Sequence, residues 1–247
     1  MKQKLLLLAV GIGILWIATS LHIPQMTIEK QSDKLTQVRS GTHIILAWND
    51  LGMHCANRYF ENLCILPPYN NQHAQVIKIG SATSLPEVIT LGMQVTYEVP
   101  GNSYSVNKTN FWTYASSIFG VNLPADTGLT GNGLSGPMVL NGNSFIADGI
   151  PITPFPDNDL INEHPYQLTL IKLFDPGNNL LASTQSVIPV SNEINCVSSG
   201  CHTNEQHILD EHESVTGFNP NIKPIFCASC HQDNALGTSG TPGTPVF

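Results

Sequence analysis

Residues 166–190 read YQLTLIKLFDPGNNLLASTQSVIPV, and this stretch does most to define the fold that the chain can adopt. Tyr166–Phe174 and Leu180–Val190 are two runs rich in apolar and β-branched residues. The residues between them, Asp175-Pro176-Gly177-Asn178-Asn179, are turn formers, in which glycine and asparagine supply the positive φ of a tight turn. The stretch therefore predicts a strand, a turn and a second strand.

From Gly41 onward, the sequence before this stretch shows the same pattern of short apolar runs separated by turn-forming residues. His43–Trp48 and Gln75–Ile79 are short apolar runs, and apolar residues alternate strictly with polar ones over Met93–Val99. Such alternation is typical of a half-buried strand. No long helical period occurs over residues 41–190. We therefore predict a mainly β region at 41–190, an immunoglobulin-like or related β-sandwich.

The amino terminus has the pattern of an export signal. Lys2 and Lys4 precede the apolar run Leu5–Ala18, and Ala18-Thr19-Ser20 offers small residues for cleavage. Residues 1–20 are predicted to be a signal peptide, or an uncleaved anchor, and residues 21–40 a polar tether. Both alternatives imply export to the periplasm, the outer membrane surface or the medium. Membrane contact is expected only through this segment, if it stays uncleaved.

The charge balance limits the partners. The chain has 18 acidic and 10 basic residues, which gives a net charge of −8. A negative chain is a poor match for nucleic acid and for anionic lipid, because both repel it. We therefore expect no nucleic-acid partner.

The pattern of alternating apolar residues ends at about Ser191, and four cysteines follow within residues 191–247. We predict that this part is a separate small segment, mostly irregular or helical. It contains Cys227-Ala228-Ser229-Cys230-His231, which is the C-x-x-C-H motif of c-type haem attachment. In this motif the two thiols add to the haem vinyl groups, and His231 becomes the proximal ligand of the iron.

A second motif repeats this logic with a longer spacing. Cys196 and Cys201 are separated by four residues, and His202 follows directly, as in a C-x₄-C-H attachment motif. Two covalently bound haem c groups are therefore expected. The alternatives are a zinc site made of the four cysteines and a pair of disulfides. Neither alternative needs the histidine after each pair, so export and the histidines favour haem.

Distal ligands are expected on a helix between the two motifs. Thr203-Asn204-Glu205-Gln206 is a capping box that would open a helix, and Gly217 would close it. Ile208, His212 and Val215 then fall on one apolar stripe. A buried histidine beside two haem motifs is a good sixth ligand, so His212 is predicted to be a distal ligand of the haem held by Cys227 and Cys230. His207 would lie on the wet side of the helix near Asp210 and Glu211, and is the weaker candidate.

The segment Trp48–Cys55 holds further candidates. Cys55 and Cys64 can pair in a disulfide that closes a loop of about ten residues. His54 is a candidate distal ligand or ligand of another metal, and Met53 is a weaker one because methionine often fills cores. His43 and His73 lie in strand-like sequence and are interpreted as structural.

The chain resembles a family of exported multihaem c-type cytochromes of bacteria that respire metals or other extracellular acceptors. The resemblance rests on Asn49–Cys55 (NDLGMHC), on Ile65–Asn70 (ILPPYN) and on the tail from Pro189 to His231. It implies electron transfer, with haem attached at the four tail cysteines and ligated by the histidine after each pair. Members of the family often continue with further histidines, whereas this sequence stops at Phe247.

The sequence therefore predicts an electron carrier rather than a catalyst. Its partners would be other redox proteins or an extracellular acceptor, and an oligomer or an assembly of stacked haems is compatible with it. No Ser-His-Asp order, phosphate loop or carboxylate pair was recognised. The alternatives are a haem-based oxidoreductase with an open distal site and a zinc-stabilised, non-redox binding module.

Overall fold

The computed structural model describes residues 41–192, 197, 200–212, 218–233 and 236–241. In this part of the chain the fold is mostly β, with several sheets and few helices, as the sequence predicts. No helix of the described part is long and apolar enough to cross a membrane. The predictions for residues 1–20 and 21–40 lie outside the described residues.

The elements are as follows. The strands are β1 (His43–Trp48), β2 (His54–Ala56), β3 (Leu63–Cys64), β4 (Gln72–Lys78), β5 (Glu87–Ile89), β6 (Gln94–Glu98), β7 (Ser135–Pro137), β8 (Val139–Asn141), β9 (Ser144–Ala147), β10 (Tyr166–Phe174), β11 (Leu180–Asn192), β12 (Ile225–Phe226), β13 (Gln232–Asp233) and β14 (Thr238–Ser239). The helices are α1 (Phe111–Phe119) and α2 (Glu205–Asp210), and a 3₁₀ turn spans Cys227–Ser229.

The predicted strand–turn–strand unit forms the centre of the first sheet. Strands β10 and β11 pair antiparallel from Tyr166 opposite Pro189 to Leu173 opposite Ala182, with an irregularity at Phe174. In the turn, Asn178 has a φ of 62°, the left-handed conformation that asparagine tolerates. The sheet order is β2-β11-β10-β6-β7, and the short β2 runs parallel to the end of β11.

The second sheet has the order β1-β4-β9-β8, with β5 also paired to β4. Strand β1 has the bounds that the sequence predicts, whereas β4 begins at Gln72, before the apolar run at Gln75. The polar start of β4 is buried because Gln72 donates from its side-chain amide to the Val187 carbonyl, 2.9 Å away. A buried amide of this kind is tolerated only when it is hydrogen-bonded, and periodicity alone does not reveal it.

Both sheets contribute side chains to one apolar core. Its buried members come from alternate positions of the strands, as a pleated strand requires. The members from the second sheet include Ile45, Ala74, Val76, Phe145 and Ala147. Those from the first sheet include Val95, Tyr97, Ile171, Leu173, Ala182, Ile188 and Val190. Burial of each large apolar side chain stabilises the fold by about 1.5–3 kcal/mol, so this core supplies most of the stability of the strands.

A second, smaller core surrounds α1, which the sequence analysis did not predict. Phe111 and Ala115 of this helix are buried with Phe60 and Cys64. The helix ends at Gly120, which adopts the left-handed conformation that glycine allows (φ 70°). Asn110 precedes the helix but does not cap it, because its side-chain oxygen accepts from the backbone N–H of Phe60. This core matters for the site because the carboxy-terminal segment packs on it.

Strand β11 continues to Asn192, past the predicted end of the β-rich region at residue 190. The described tail then joins the rest of the chain through β12, which pairs parallel with β3. Gln37–Phe247 forms one compact unit. The tail motif and the β region are therefore held together by backbone pairing.

Candidate functional site

The C-x-x-C-H motif forms a tight turn directly after β12. Pairing sets Ile225 opposite Leu63 and Phe226 opposite Cys64. The backbone carbonyl of Cys227 then accepts hydrogen bonds from the N–H of Cys230 at 3.1 Å and of His231 at 3.0 Å. This turn brings both motif cysteines and the histidine close together on one short segment.

Asn62 fixes this turn to the β region. Its backbone carbonyl accepts from the N–H of Ile225 at 2.9 Å. Its side-chain oxygen accepts from Nζ of Lys223 at 2.9 Å, and its side-chain nitrogen donates to Oε2 of Glu205 at 2.7 Å. One residue therefore positions both β12 and the start of α2.

The turn is also anchored by an aromatic contact. The ring of Phe226 meets the edge of Phe119, with 5.0 Å between ring centroids. Phe119 belongs to the second core through its contact with Phe111. Edge contacts of this kind stabilise by about 0.5–1.5 kcal/mol beyond their burial. Phe226, the residue before Cys227, is therefore held both by its pairing with β3 and by its contact with Phe119.

The segment that contains β14 also contacts the backbone of the motif. Thr241 donates its N–H to the Cys230 carbonyl at 2.6 Å, and Thr238 donates its hydroxyl to the His231 carbonyl at 3.2 Å. Gly240 lies so close that a Cβ would overlap the backbone nitrogen of Gln232 and would lie 2.7 Å from the carbonyl carbon of His231. Only glycine fits there, and its φ is +62°.

His212 lies beside His231. Their ring centroids are 6.2 Å apart, with the planes at 83°. Nδ1 of His212 is 2.9 Å from the Ile208 carbonyl oxygen, which can only accept, so Nδ1 carries the proton. In the neutral form of the ring, Nε2 of His212 carries the lone pair. The ring is half-buried and also contacts Phe218, at 5.3 Å between centroids.

Helix α2 differs in detail from the helix that was predicted to carry His207 and His212. Asn204, not Thr203, caps α2, since its side-chain oxygen accepts from the N–H of His207 at 2.9 Å. The helix ends at Asp210, before His212, and its buried residue is Leu209 rather than Ile208. The physical reason is that Asn204 is extended and its short side chain reaches the third N–H onward. Val215 and Gly217, which completed the predicted stripe and its end, lie outside the described residues.

The first motif is described only in part, because Cys196 lies outside the described residues. Cys201 is exposed, and the ring of His202 contacts His207 at 4.9 Å between centroids. Nδ1 of His202 is buried and has no hydrogen-bond partner within the described ranges. Nε2 of His207 is 3.3 Å from the Glu211 carboxylate.

A cleft of about 380 Å³ opens beside this motif. It lies between the loop of Tyr59, Glu61 and Asn62 and the start of α2 at Thr203–Gln206, and Val197 also lines it. Its lining residues Thr203 and Gln206 are the chain neighbours of His202 and His207. Space for a ligand therefore exists next to the first motif, on the side that faces the β region.

The two amino-terminal segments of the resemblance pack against each other. Asn49 donates its side-chain N–H to the Asn71 carbonyl at 2.8 Å, and Nε2 of His54 is 2.7 Å from the Pro67 carbonyl. His54 is 2% exposed. Burial lowers the pKa of His54, against the opposite effects of the Pro67 carbonyl and the Asp233 carboxylate. His54 is thus a neutral imidazole bonded to backbone.

Other candidates of this region are more exposed. Met53 is 39% exposed and is in no core cluster of the described residues. His73 stacks on Trp48 at 5.4 Å between centroids, and its Nε2 is 2.8 Å from the Asp50 carboxylate. His43 and His73 lie in β1 and β4, as strand residues.

Cys64 lies next to the second motif. It is fully buried and carries a free thiol, so the predicted disulfide with Cys55 is not formed here and stays a prediction. Burial raises the pKa of Cys64 well above its usual value, and Cys227 and Asp233 act in the same direction. Burial also raises the pKa of Cys227, to about 12.

Asp233 is a buried residue near Cys64 that the sequence did not single out. It is 1% exposed, and its Oδ1 accepts from the N–H of Leu236 at 2.9 Å. Its Oδ2 has no hydrogen-bond partner among the described residues. Nothing in the sequence distinguished Asp233, Asn62 or the position of Cys64, because their roles depend on the non-local pairing of β3 with β12. The glycine directly after the short polar strand β14 was a weak signal for the close approach at Gly240.

Within the described ranges, no group of three or more histidine, cysteine, aspartate or glutamate side chains is arranged to hold a metal ion. The alternative of a zinc site includes Cys196, so it is not tested.

No protein-family model matches the chain, and no curated protein or solved structure is significantly similar to it. Function must therefore be argued from the residues and their geometry.

Proposed function

We propose that the chain is an exported dihaem c-type cytochrome, a member of the multihaem family that it resembles, and that it carries single electrons. It would act as a carrier rather than as a catalyst. The residues that would attach and ligate the two haems are Cys196, Cys201, His202, Cys227, Cys230 and His231.

The observation that carries this proposal is the position of His212 beside His231. If both rings bound one iron, a metal–nitrogen bond of about 2 Å would put each ring centroid about 3 Å from the metal and the two centroids about 6 Å apart. The separation of His212 and His231 is 6.2 Å. Two histidines from different segments therefore meet at the spacing that a single iron requires.

The hydrogen bond of His212 supports the same role. A ligating histidine commonly donates its other ring N–H to a carbonyl or carboxylate, which fixes the tautomer and makes the ligand more basic. Nδ1 of His212 donates in this way to the Ile208 carbonyl. The ring is thus oriented with its remaining nitrogen available.

The tight turn of the second motif supports covalent attachment. The two bonds to the Cys227 carbonyl fix the positions of Cys230 and His231 before any ligand binds. When bound, a haem supplies one-electron chemistry at its iron, and two histidine ligands leave that iron no open position. An iron without an open position favours electron transfer over catalysis.

We also infer that the two five-stranded sheets are the layers of a β-sandwich, immunoglobulin-like or related. Side chains of both sheets interdigitate in one core, as in such folds. The sandwich would act as a rigid support on which β3 and Asn62 hold the tail. The tail would face redox partners or an extracellular acceptor, in the periplasm, at the outer membrane surface or outside the cell.

The proposal is tested on the full chain produced with the cytochrome c maturation machinery. Optical spectra in both redox states should show a Soret band and the sharp bands of low-spin haem c. The intact mass should exceed that of the polypeptide by two haems, and the haem should remain after acid–acetone extraction. Cys227→Ala should remove one covalent attachment and leave the other. A colourless protein with bound zinc would refute the proposal and favour the zinc-stabilised binding module.

A second candidate, a haem-based oxidoreductase, is favoured by one observation at the first motif. The centroids of His202 and His207 are only 4.9 Å apart, which is short of the roughly 6 Å that two axial imidazoles need. His207 is also paired with Glu211. If His202 is the proximal ligand and His207 does not ligate, that haem would keep an open distal position. Cyanide binding to half of the haem would support this candidate, whereas two unreactive haems would exclude it.

A further inference from the structure

Cys64 is a buried thiol that the proposed function does not use. It lies at the end of β3 in the second core, with Phe60 and Phe111 around it. It is fully buried, and its thiol is free. A buried cysteine alone is ordinary core filling, so its meaning depends on what faces it.

A cysteine of the second haem motif directly follows the strand that pairs with β3. Pairing of β3 with β12 sets Cys64 opposite Phe226, so Cys227 is the next residue along the neighbouring strand. Adjacent strands lie about 4.8 Å apart and rise about 3.3 Å per residue, which puts the two cysteine Cα atoms roughly 6 Å apart. Disulfides usually span Cα separations of about 4.4–6.8 Å.

The Cys227 thiol also acts on Cys64 electrostatically. The Cys227 thiol raises the pKa of Cys64, after the larger effect of burial, so the two groups are near neighbours in a dry environment. Cys227 is half-buried and is the more accessible of the two. An oxidising reagent would therefore reach Cys227 first, and Cys64 second.

We propose that Cys64 and Cys227 form a disulfide in the haem-free protein when a disulfide-bearing oxidant acts on it. The Cys227 sulfur attacks the oxidant's disulfide, forms a mixed disulfide and releases one oxidant thiol. The Cys64 sulfur then attacks the Cys227 sulfur and releases the second oxidant thiol. The two cysteines lose two protons and two electrons, and the oxidant disulfide is reduced to two thiols. The bond would lock the tail turn onto β3.

A consequence rests on the proposed function: this disulfide would withhold Cys227 from haem until it is reduced. Cys64 would thus be a site of reversible modification that controls haem attachment at the second motif. The first motif does not share this control, because the thiol facing Cys64 belongs to the second motif. Oxidised haem-free protein is expected to accept haem at the second motif only after the bond at Cys227 is reduced.

The test uses the full chain produced without haem maturation and incubated for hours with oxidised glutathione. Free thiols are then alkylated, and the chain is digested without reduction by trypsin and a glutamate-specific protease. Cleavage after Arg58 separates Cys55 from Cys64, and cleavage after Glu213 separates the second motif from the first. We expect a cross-linked peptide pair that joins Cys64 to Cys227.

Three variants identify the bond. The cross-link should persist in Cys55→Ser and in Cys230→Ser, and should be lost in Cys64→Ser. Oxidation should raise the Tm of the wild type by roughly 10 °C and leave the Tm of Cys64→Ser almost unchanged, because the bond closes a very long loop. A cross-link from Cys227 to Cys230 alone, or from Cys55 to Cys64, would overturn the inference.

Haem attachment is measured separately. Reduced wild-type protein should take up haem at both motifs, whereas wild type that carries the Cys64–Cys227 bond should attach haem at the second motif only after a reductant is added. Equal attachment at the second motif in the cross-linked and the reduced wild type would overturn the control role. If the reduced protein takes up no haem but the cross-link forms, the proposed function fails while the disulfide stands.

Discussion

The ring of His212 lies 6.2 Å from the ring of His231, centroid to centroid, although nineteen residues separate them in sequence. The two histidines are positioned by different means. His231 is fixed by the turn at Cys227, and His212 by its hydrogen bond to Ile208 at the end of α2. Because Asn62 holds both segments, the pair is assembled by the β region rather than by the tail alone.

Replacing His212 by alanine should therefore expose one iron. We expect His212→Ala to convert one of two low-spin haems to a high-spin form that binds cyanide, with the haem content unchanged. The cause is loss of the sixth ligand while the covalent attachment remains. Electronic absorption and electron paramagnetic resonance spectra report the change.

His207→Ala is the matched control for this experiment. It removes a nearby histidine, on α2, that is paired with Glu211 and contacts His202. It should leave the second haem low-spin. If both haems stay low-spin in His212→Ala, the sixth ligand comes from elsewhere, and His54 is the next candidate to test.

Loss of the Asn62 side chain should loosen the tail. Asn62→Ala removes the bonds to Glu205 and Lys223 but keeps the backbone bond to Ile225. We expect a loss of about 1–3 kcal/mol in the free energy of unfolding, since partly buried polar partners are left unpaired. Urea denaturation measures the loss, and hydrogen exchange should be faster at the Cys230 and His231 amides.

Lys223→Ala is the control for Asn62, because it removes only the most exposed of these bonds. Its cost should stay below about 0.5 kcal/mol, as for other surface contacts. Equal effects of the two substitutions would mean that Asn62 does not connect the tail and α2 in the way described.

Local pattern was enough to predict the central strands. Strands β1 and β10 have the predicted bounds, and β6 and β11 differ from prediction by at most two residues at an end. These segments carry a strong period, and the turn at Gly177 and Asn178 carries its own signal. The β-rich class therefore followed from the sequence.

The elements that build the site could not be read in this way. Strands β3 and β12 have two residues each, too few for any period, and their parallel pairing joins distant parts of the chain. Helix α1 is nine residues long, rich in aromatic residues and lacks a side-chain cap, so no start signal marks it. The contacts of Cys64 and Asp233 depend on these elements. The proximity of His212 and His231 was predicted only indirectly, through the expectation that His212 ligates the second haem.

Stability should depend on pH through His54. Burial lowers the pKa of His54 in the folded protein below the value of about 6.5 in an unfolded chain. Below that pH the unfolded chain binds a proton that the folded protein does not, so stability falls as the pH decreases from 7 towards 5. The slope from one such group is at most about 1.4 kcal/mol per pH unit.

The variant His54→Gln should lose this part of the slope. Urea denaturation at several pH values measures it, with His164→Gln as the control because His164 is an exposed histidine. An unchanged slope in His54→Gln would show that another group causes the pH dependence.

The buried pair of Lys108 and Asp157 should respond asymmetrically to substitution. Nζ of Lys108 is fully buried, 2.6 Å from the Asp157 carboxylate and 2.8 Å from the Asn102 oxygen, whereas the Asp157 side chain is 28% exposed. Asp157→Ala leaves an ammonium buried and should cost about 3–5 kcal/mol. Lys108→Met leaves a carboxylate that water and Ser103 still solvate, so it should cost clearly less.

The double variant of this pair decides between pairing and simple packing. If the cost of Asp157→Ala comes from the unpaired ammonium, adding Lys108→Met should restore part of the lost stability. Strict additivity in urea denaturation would contradict this explanation.

Gly240 provides the most direct test of how the chain holds His231. A methyl group at Gly240 would collide with the backbone of Gln232 and His231, in addition to straining a φ of +62°. Gly237 has a similar φ of +66°, but no heavy atom of the described residues lies within 4 Å of the position that a Cβ would take. Gly237→Ala should therefore cost only the conformational strain, about 1 kcal/mol, whereas Gly240→Ala must also displace the backbone of His231, the proposed proximal ligand. We expect Gly240→Ala to attach both haems but to give a partly high-spin second haem, and Gly237→Ala to keep the wild-type spectrum. Matching spectra and matching stability in the two variants would mean that the backbone of His231 is not held by the approach of Gly240.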